Sequence, residues 1–237
     1  MTEPWTERTE LLLGSERMET LKRAHVLVVG VGGVGAYAAE MLCRAGVGRL
    51  TIVDADTVSA SNINRQLPAT HATLGKKKVD VLAERFRAIN PALQLDARAV
   101  YVDSTNLDDL LAQPYDFVVD AIDTIRPKCD LLTSCMRRRI RVVSSMGAGA
   151  KTDITQIRFA DVWDTYHCGL AKSVRGNLAR AGLRGRRLPV VFCSQQADRN
   201  AIATVEGERN KKTTAGTVSY MPAVFGCYLA QYVLMHL

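Results

Sequence analysis

The chain has 237 residues, 47% hydrophobic and 23% charged, with 31 Lys and Arg against 24 Asp and Glu. That length buries one α/β core, and the composition is that of a soluble globular enzyme. The amino-terminal MTEPWTERTE shows no basic-then-apolar secretory pattern, and a formal charge of +7 points toward a polyanionic partner.

In chain order, residues 11–21 carry leucines at helical spacing and predict an opening helix. His25 to Gly30 (HVLVVG) is wholly apolar, as a strand buried on both faces should be. Val34 to Arg44 reads as a helix stopped by Gly46 and Gly48, and Leu50 to Val53 as a second buried strand ending at Asp54. Asp56 to Thr73 is too rich in Ser, Asn and Pro for a regular helix, whereas Lys76 to Ile89 is amphipathic and closed by Asn90-Pro91. Leu93 to Val100, Phe117 to Asp120 and Ile140 to Ser145 read as strands, with helices over Thr105 to Leu111 and Pro127 to Arg138. This alternation predicts an α/β, Rossmann-like, mostly parallel sheet with helices on both faces.

After Gly149 the character changes to an irregular, basic portion, about residues 150–237. Gln156 to Ala160 reads as an antiparallel strand, Gly169 to Arg187 as a basic helix, Val190 to Ser194 as a strand and Gln195 to Thr214 as a polar loop. Met221 to Leu237 is apolar but short for a membrane span and interrupted by Pro222, Gly226, Gln231 and His236, so it reads as a buried helix. No repeat or linker divides the chain, and 1–237 is expected to form one domain.

The Gly30, Gly32, Gly33 and Gly35 pattern lies between a strand and a helix. Glycines there permit the tight turn, backbone approach to phosphate and close helix–strand packing, and the helix end offers unpaired N–H groups to an anion. Asp54 ends the next strand, where a carboxylate can accept from ribose hydroxyls; NAD, FAD and ATP all fit so far. Arg65 and one lysine of the Lys76–Lys78 run would offset the charge of a triphosphate, and Asp123 is placed to hold Mg²⁺.

Taken together, GxGGxG, D-x-D (Asp54, Asp56), S-N-x-x-R-Q (Asn62, Arg65, Gln66), G-x-x-K (Lys78) and D-x-x-D (Asp123) resemble the superfamily of ubiquitin-activating enzymes, MoeB and ThiF. The resemblance implies ATP as cosubstrate and adenylation of a carboxylate. It implies that Asp54 contacts ribose, that Asn62, Arg65, Gln66 and Lys78 contact phosphates, and that Asp123 binds Mg²⁺. It also implies a homodimer in which an amino-terminal arginine, here Arg8, reaches the partner's ATP. The stretches RTELLLG, AHVLVVGVGGVG, NINRQLPA, YDFVVDAIDT and SSMGAGAK are similar, more narrowly, to the tRNA threonylcarbamoyladenosine dehydratases. That group activates the threonyl carboxylate at adenosine 37 as an acyl-adenylate, which the side chain's own carbamoyl displaces with loss of AMP.

Three rivals stand beside this reading, one of them a non-catalytic nucleotide-sensing adaptor, against which the retention of all the candidate phosphate and metal ligands argues. A MoeB- or ThiF-like activator of a carrier protein's carboxylate, with sulfur-relay partners, would favour paired C-x-x-C zinc ligands. The six cysteines, at 43, 129, 135, 168, 193 and 227, form no such pair. An NAD- or FAD-dependent oxidoreductase would leave Arg65, Lys78 and Asp123 without a role. The cysteines, Cys168 and Cys193 included, are read as reduced packing residues, and the expected setting is cytoplasmic.

For tRNA, the phosphate-binding candidates are Arg175, Arg184, Arg186 and Arg187, in a segment that also holds Lys172 and Arg180. Further basic clusters are Arg137 to Arg139 with Arg141, and Lys211 with Lys212; Trp163 and Tyr166 are candidates to stack a base. The Ser144 to Gly149 turn is expected at the carboxyl edge of the sheet, shaping the acceptor pocket, with carbonyls able to hold a monovalent cation such as K⁺ or Na⁺.

Overall fold

The computed structural model describes residues 4–204 and 213–237. Four short apolar runs make the centre of a sheet: β1 (His25–Val29), β2 (Arg49–Val53), β4 (Phe117–Asp120) and β5 (Val142–Ser145), nearly all buried and all parallel. β3 (Gln94–Arg98) extends one edge in parallel with β2. β7 (Pro189–Cys193) continues the other side parallel to β5, and β6 (Ile157–Asp161) closes it antiparallel to β7. The order is β3-β2-β1-β4-β5-β7-β6. It reverses direction between β1 and β4, which opens a crevice beyond their carboxyl ends.

Because successive strand residues face opposite sides, the sheet supports two cores. Val26, Val28, Leu50 and Ile52 pack with α2 (Ser15–Arg23), α3 (Gly35–Arg44), α4 (Lys78–Ile89) and α8 (Tyr220–His236). Leu27, Val29 and Val118 pack with α5 (Leu107–Leu110), α6 (Ile125–Arg138) and α7 (Gly169–Arg180). α8 lies tightly on α3: a Cβ at Gly226 would come within 2.5 Å of the Val34 carbonyl oxygen. No helix among the described residues is long and apolar enough to cross a membrane.

Three expectations change. The opening helix is two helices, α1 (Glu7–Leu13) and α2, because Gly14 takes a φ of +84°, which an α-helix cannot continue through. The basic helix stops at Arg180, ahead of Gly182 and Gly185, both at positive φ. The polar loop contains two short antiparallel strands, β8 (Ile202–Thr204) and β9 (Thr213–Ala215). With three residues each, and β8 fully exposed, they carry no alternation to read. Lys211 and Lys212 lie outside the described residues.

Candidate active site

The register of β1 with β2 and β4 sets Val29 beside both Val53 and Asp120, so their carboxyl ends meet at one level. Gly30 leaves β1 with a φ of +84°, donating its N–H to the Val53 carbonyl at 2.8 Å. A Cβ at Gly30 would lie 2.9 Å from the Ala121 oxygen, and one at Gly35 only 1.8 Å from the Gly30 oxygen. The turn is therefore open to glycine alone at both ends, and it feeds the amino terminus of α3, whose first N–H groups have no intrahelical acceptor.

Asp54 fastens this turn. Its Oδ2 accepts from the Val31 N–H and its Oδ1 from the Asp56 N–H, both at 2.8 Å. Burial raises the Asp54 carboxyl above its ordinary value, against the pull of the Lys78 ammonium and these backbone N–H groups. Lys78 is the first residue of α4; its Nζ is 2.7 Å from Asp56 Oδ2, with the lysine side chain 5% and the aspartate 70% exposed. Lys76 and Lys77 face solvent, so only one cation of the run is turned inward.

The polar segment after Asp56 folds as short 3₁₀ turns, one spanning Ala60–Asn62. Asn62 Oδ1 accepts the Ser59 N–H at 3.2 Å, and Arg65 donates to the Ser61 carbonyl and to Asn64 Oδ1, both at 2.8 Å. These turns lie against the glycine loop: a Cβ at Gly32 would be 3.5 Å from Gln66 Nε2, and one at Gly33 3.7 Å from Arg65 Cγ. Gln66 Oε1 is buried and finds no partner among the described residues, an orphaned polar atom beside a glycine cradle. A cradle too close for side chains, with guanidinium, ammonium and amide groups around it, fits the phosphates and ribose of a nucleotide.

Asp123 stands exposed in the loop between β4 and α6. Beneath it is a network that the sequence did not disclose. Lys128 Nζ lies 2.6 Å from Asp120 Oδ2, both side chains 0% exposed, and also donates to the Ile122 carbonyl at 2.9 Å. Asp120 further accepts from Ser144 Oγ at 2.6 Å and from the Ile122 N–H at 3.1 Å. The clue was a lysine within the buried run of α6, between Pro127 and Cys129. Among the described residues no cluster of three or more His, Cys, Asp or Glu could hold a metal alone. A single carboxylate suits Mg²⁺, which commonly takes one or two protein ligands and completes its shell with phosphate oxygens and water.

The 144–150 turn follows β5 at the same edge. Ala150 donates to the Gly216 carbonyl at 2.8 Å, and a Cβ at Gly149 would meet Ala215 at 2.6 Å, so the β8–β9 hairpin docks on it. Lys151 is buried against the Cys193 carbonyl, and burial pushes its ammonium below the usual lysine range. Cys168 is half-buried, its Sγ 3.5 Å from where a Gly147 Cβ would stand. Burial pushes Cys43 and Cys129 up to about 11 and Cys135 up to about 12, as inert packing thiols require.

Other candidates lie apart. Arg8 sits on α1, which packs on α2, and makes no hydrogen bond or ion pair among the described residues. Arg175 donates to the Thr165 carbonyl at 2.8 Å and is spent within the protein, whereas Arg184, Arg186 and Arg187 are exposed. Trp163 donates to the Arg186 carbonyl at 2.8 Å; Tyr166 is 45% exposed.

Comparison with known proteins agrees with this geometry. The ThiF family pattern matches residues 7–237. A Bacillus subtilis protein named tRNA threonylcarbamoyladenosine dehydratase is 37% identical over 237 residues, 97% of this chain and 93% of that protein. The crystal structure of the Escherichia coli tRNA N6-threonylcarbamoyladenosine dehydratase TcdA in complex with ATP superposes with a TM-score of 0.86 at 31% identity, over 97% of this chain and 92% of that one. Its complex with AMP gives 0.88 at 31% identity, over 99% and 95%. Glycine cradle, clustered polar side chains and likeness over nearly the whole chain converge: the chain belongs to the ThiF family.

Proposed function

We propose that this chain is an ATP-dependent tRNA threonylcarbamoyladenosine dehydratase. The observation that carries the reading is that its likeness to named dehydratases spans almost the whole chain, including the nucleotide cradle. Several relatives that activate carriers, such as the Escherichia coli molybdopterin-synthase adenylyltransferase, match a smaller share, 63% of this chain at 35% identity.

In this account the phosphates of ATP lie on the Gly30–Gly35 turn and the first turn of α3. Asp54 keeps a free lone pair on each oxygen for the ribose. Arg65 and Lys78 offset the phosphate charge, Asn62 and Gln66 orient the phosphates, Asp56 holds the Lys78 ammonium, and Asp123 would hold Mg²⁺, which when bound would supply further charge neutralisation. The threonyl carboxylate of the modified adenosine attacks the α-phosphorus, pyrophosphate leaves, and an acyl-adenylate forms. The carbamoyl of the same side chain then attacks the activated carbonyl and AMP leaves, for a net loss of one water. Ring closure is intramolecular and requires no protein thiol, in keeping with the burial of Cys43, Cys129, Cys135 and Cys193.

The finer assignments belong to this proposal. The whole chain, 1–237, acts as one adenylating unit in the cytoplasm. Leu11 and Leu12 are 81% and 82% exposed on α1, an apolar edge that a second copy would cover, and a homodimer would carry Arg8 toward the partner's nucleotide. Arg184, Arg186 and Arg187 contact tRNA phosphates. The carbonyls of the 144–149 turn offer an all-oxygen site for K⁺ or Na⁺.

Pyrophosphate exchange into ATP tests the adenylation step. Exchange that depends on tRNA carrying threonylcarbamoyladenosine supports the account; exchange that depends instead on a carrier protein moves the chain to the carrier-activating branch.

A further inference from the structure

At the sheet edge opposite the nucleotide cradle, Phe117, Val142 and Pro189 begin β4, β5 and β7 and line a cavity of about 310 Å³. Strands of four or five residues separate the two edges by roughly 15 Å. Arg139, Arg141, Arg186 and Arg187 converge on this cavity, and no carboxylate among the described residues lines it.

Arginines near helix carboxyl ends commonly serve as caps. Here the structure sorts them. Arg137 donates to the Ala181 carbonyl at 3.1 Å, Arg138 pairs with Asp108, and Arg141 caps the His236 carbonyl while lying 5.0 Å over the Phe117 ring. The guanidiniums of Arg139, Arg186 and Arg187 have no hydrogen-bond or ion-pair partner among the described residues.

The turn that presents two of them is nonetheless firmly built. Gly185 has a φ of +77°, the Arg186 N–H donates to the Leu183 carbonyl at 3.1 Å, and the Arg186 carbonyl accepts from Trp163. Buried Leu183 and Leu188 anchor it on either side. Like charges are thus held together with no ion-pair partner for these guanidiniums among the described residues, which favours an anion. On the same cavity, Tyr232 and His236 stack at 4.0 Å and 15°, and His236 is exposed. Phosphate-binding guanidiniums beside an open aromatic face are the elements that hold single-stranded or looped RNA.

We propose that this cavity is a second RNA-contact site, gripping a backbone phosphate of tRNA with Arg139, Arg186 and Arg187 and resting a base on the Tyr232–His236 face, at the edge away from the chemistry. The inference rests on the tRNA reading above and adds where the RNA is held.

The test is binding of an unmodified tRNA transcript across a salt series, with ATP affinity as the control for folding. Arg186→Glu/Arg187→Glu should lose about tenfold or more in affinity and reduce the slope of log K against log salt by about two, while Arg23→Glu/Arg87→Glu, the same charge change on exposed helix ends, loses less than about threefold. Equal losses in both variants, or wild-type affinity in the first, overturn the cavity as the site. Wild-type protein that binds ATP but no RNA overturns the cavity and the tRNA reading together.

Discussion

Lys128 and Asp120 face each other at 2.6 Å with both side chains wholly out of solvent. Charges so buried are costly unless every remaining donor and acceptor is met. Here Ser144, the Ile122 N–H and the Ile122 carbonyl supply further partners, so the pair pins the start of the loop that carries Asp123. Lys128→Met should cost about 3–5 kcal/mol in chemical denaturation, because it strands a buried carboxylate, and Lys128→Met/Asp120→Asn should recover part of that loss. A loss under about 1 kcal/mol in the single variant would deny the pair its structural weight.

Asp123 lies outside this network's buried core, and its substitution separates chemistry from folding. Asp123→Ala should keep the wild-type denaturation midpoint while ATP turnover falls at least about a hundredfold. Full activity at ordinary Mg²⁺ concentrations would remove Asp123 from the metal assignment.

Lys78 has an alternative reading as a mere partner of Asp56. Asp56 is largely exposed, so leaving it unpaired costs little, and Lys78→Met keeps the buried stem. ATP affinity measured by calorimetry should fall about 10- to 100-fold, the worth of a charge-assisted hydrogen bond of roughly 1.5–3 kcal/mol. Unchanged affinity would return Lys78 to a structural ion pair.

His25, buried at the start of β1, donates to or accepts from Thr51 Oγ1 at 2.9 Å, and burial holds its imidazole below the ordinary value of 6.5. The unfolded histidine takes up its proton near that value, whereas the folded one takes it up only at lower pH. Its contribution to stability is therefore full above that value and is lost as pH falls below it. Thermal midpoints between pH 8 and pH 5.5 should drop further for the wild type than for His25→Gln; parallel profiles would contradict the assignment.

Much of this architecture was legible in the chain. β1, β2, β4 and β5 are apolar runs because both of their faces are covered, and the glycine pattern lies where two glycines admit no side chain. What escaped depends on three-dimensional neighbours. Lys128 reads as an ordinary helical lysine until α6 turns it toward Asp120. Arg175 and Arg186 look alike in sequence, yet one is spent on Thr165 and the guanidinium of the other has no partner among the described residues. The β8–β9 hairpin gains its place by docking on the 144–150 turn rather than from its own pattern. Arg8 finds no hydrogen-bond or ion-pair partner among the described residues.

The central claim is tested most directly by nucleoside mass spectrometry of tRNA carrying threonylcarbamoyladenosine, after incubation with the purified protein, Mg²⁺ and ATP. The account expects that nucleoside to lose the mass of one water, only when ATP is present. An unchanged nucleoside, from folded protein that binds both ATP and the tRNA, would contradict it.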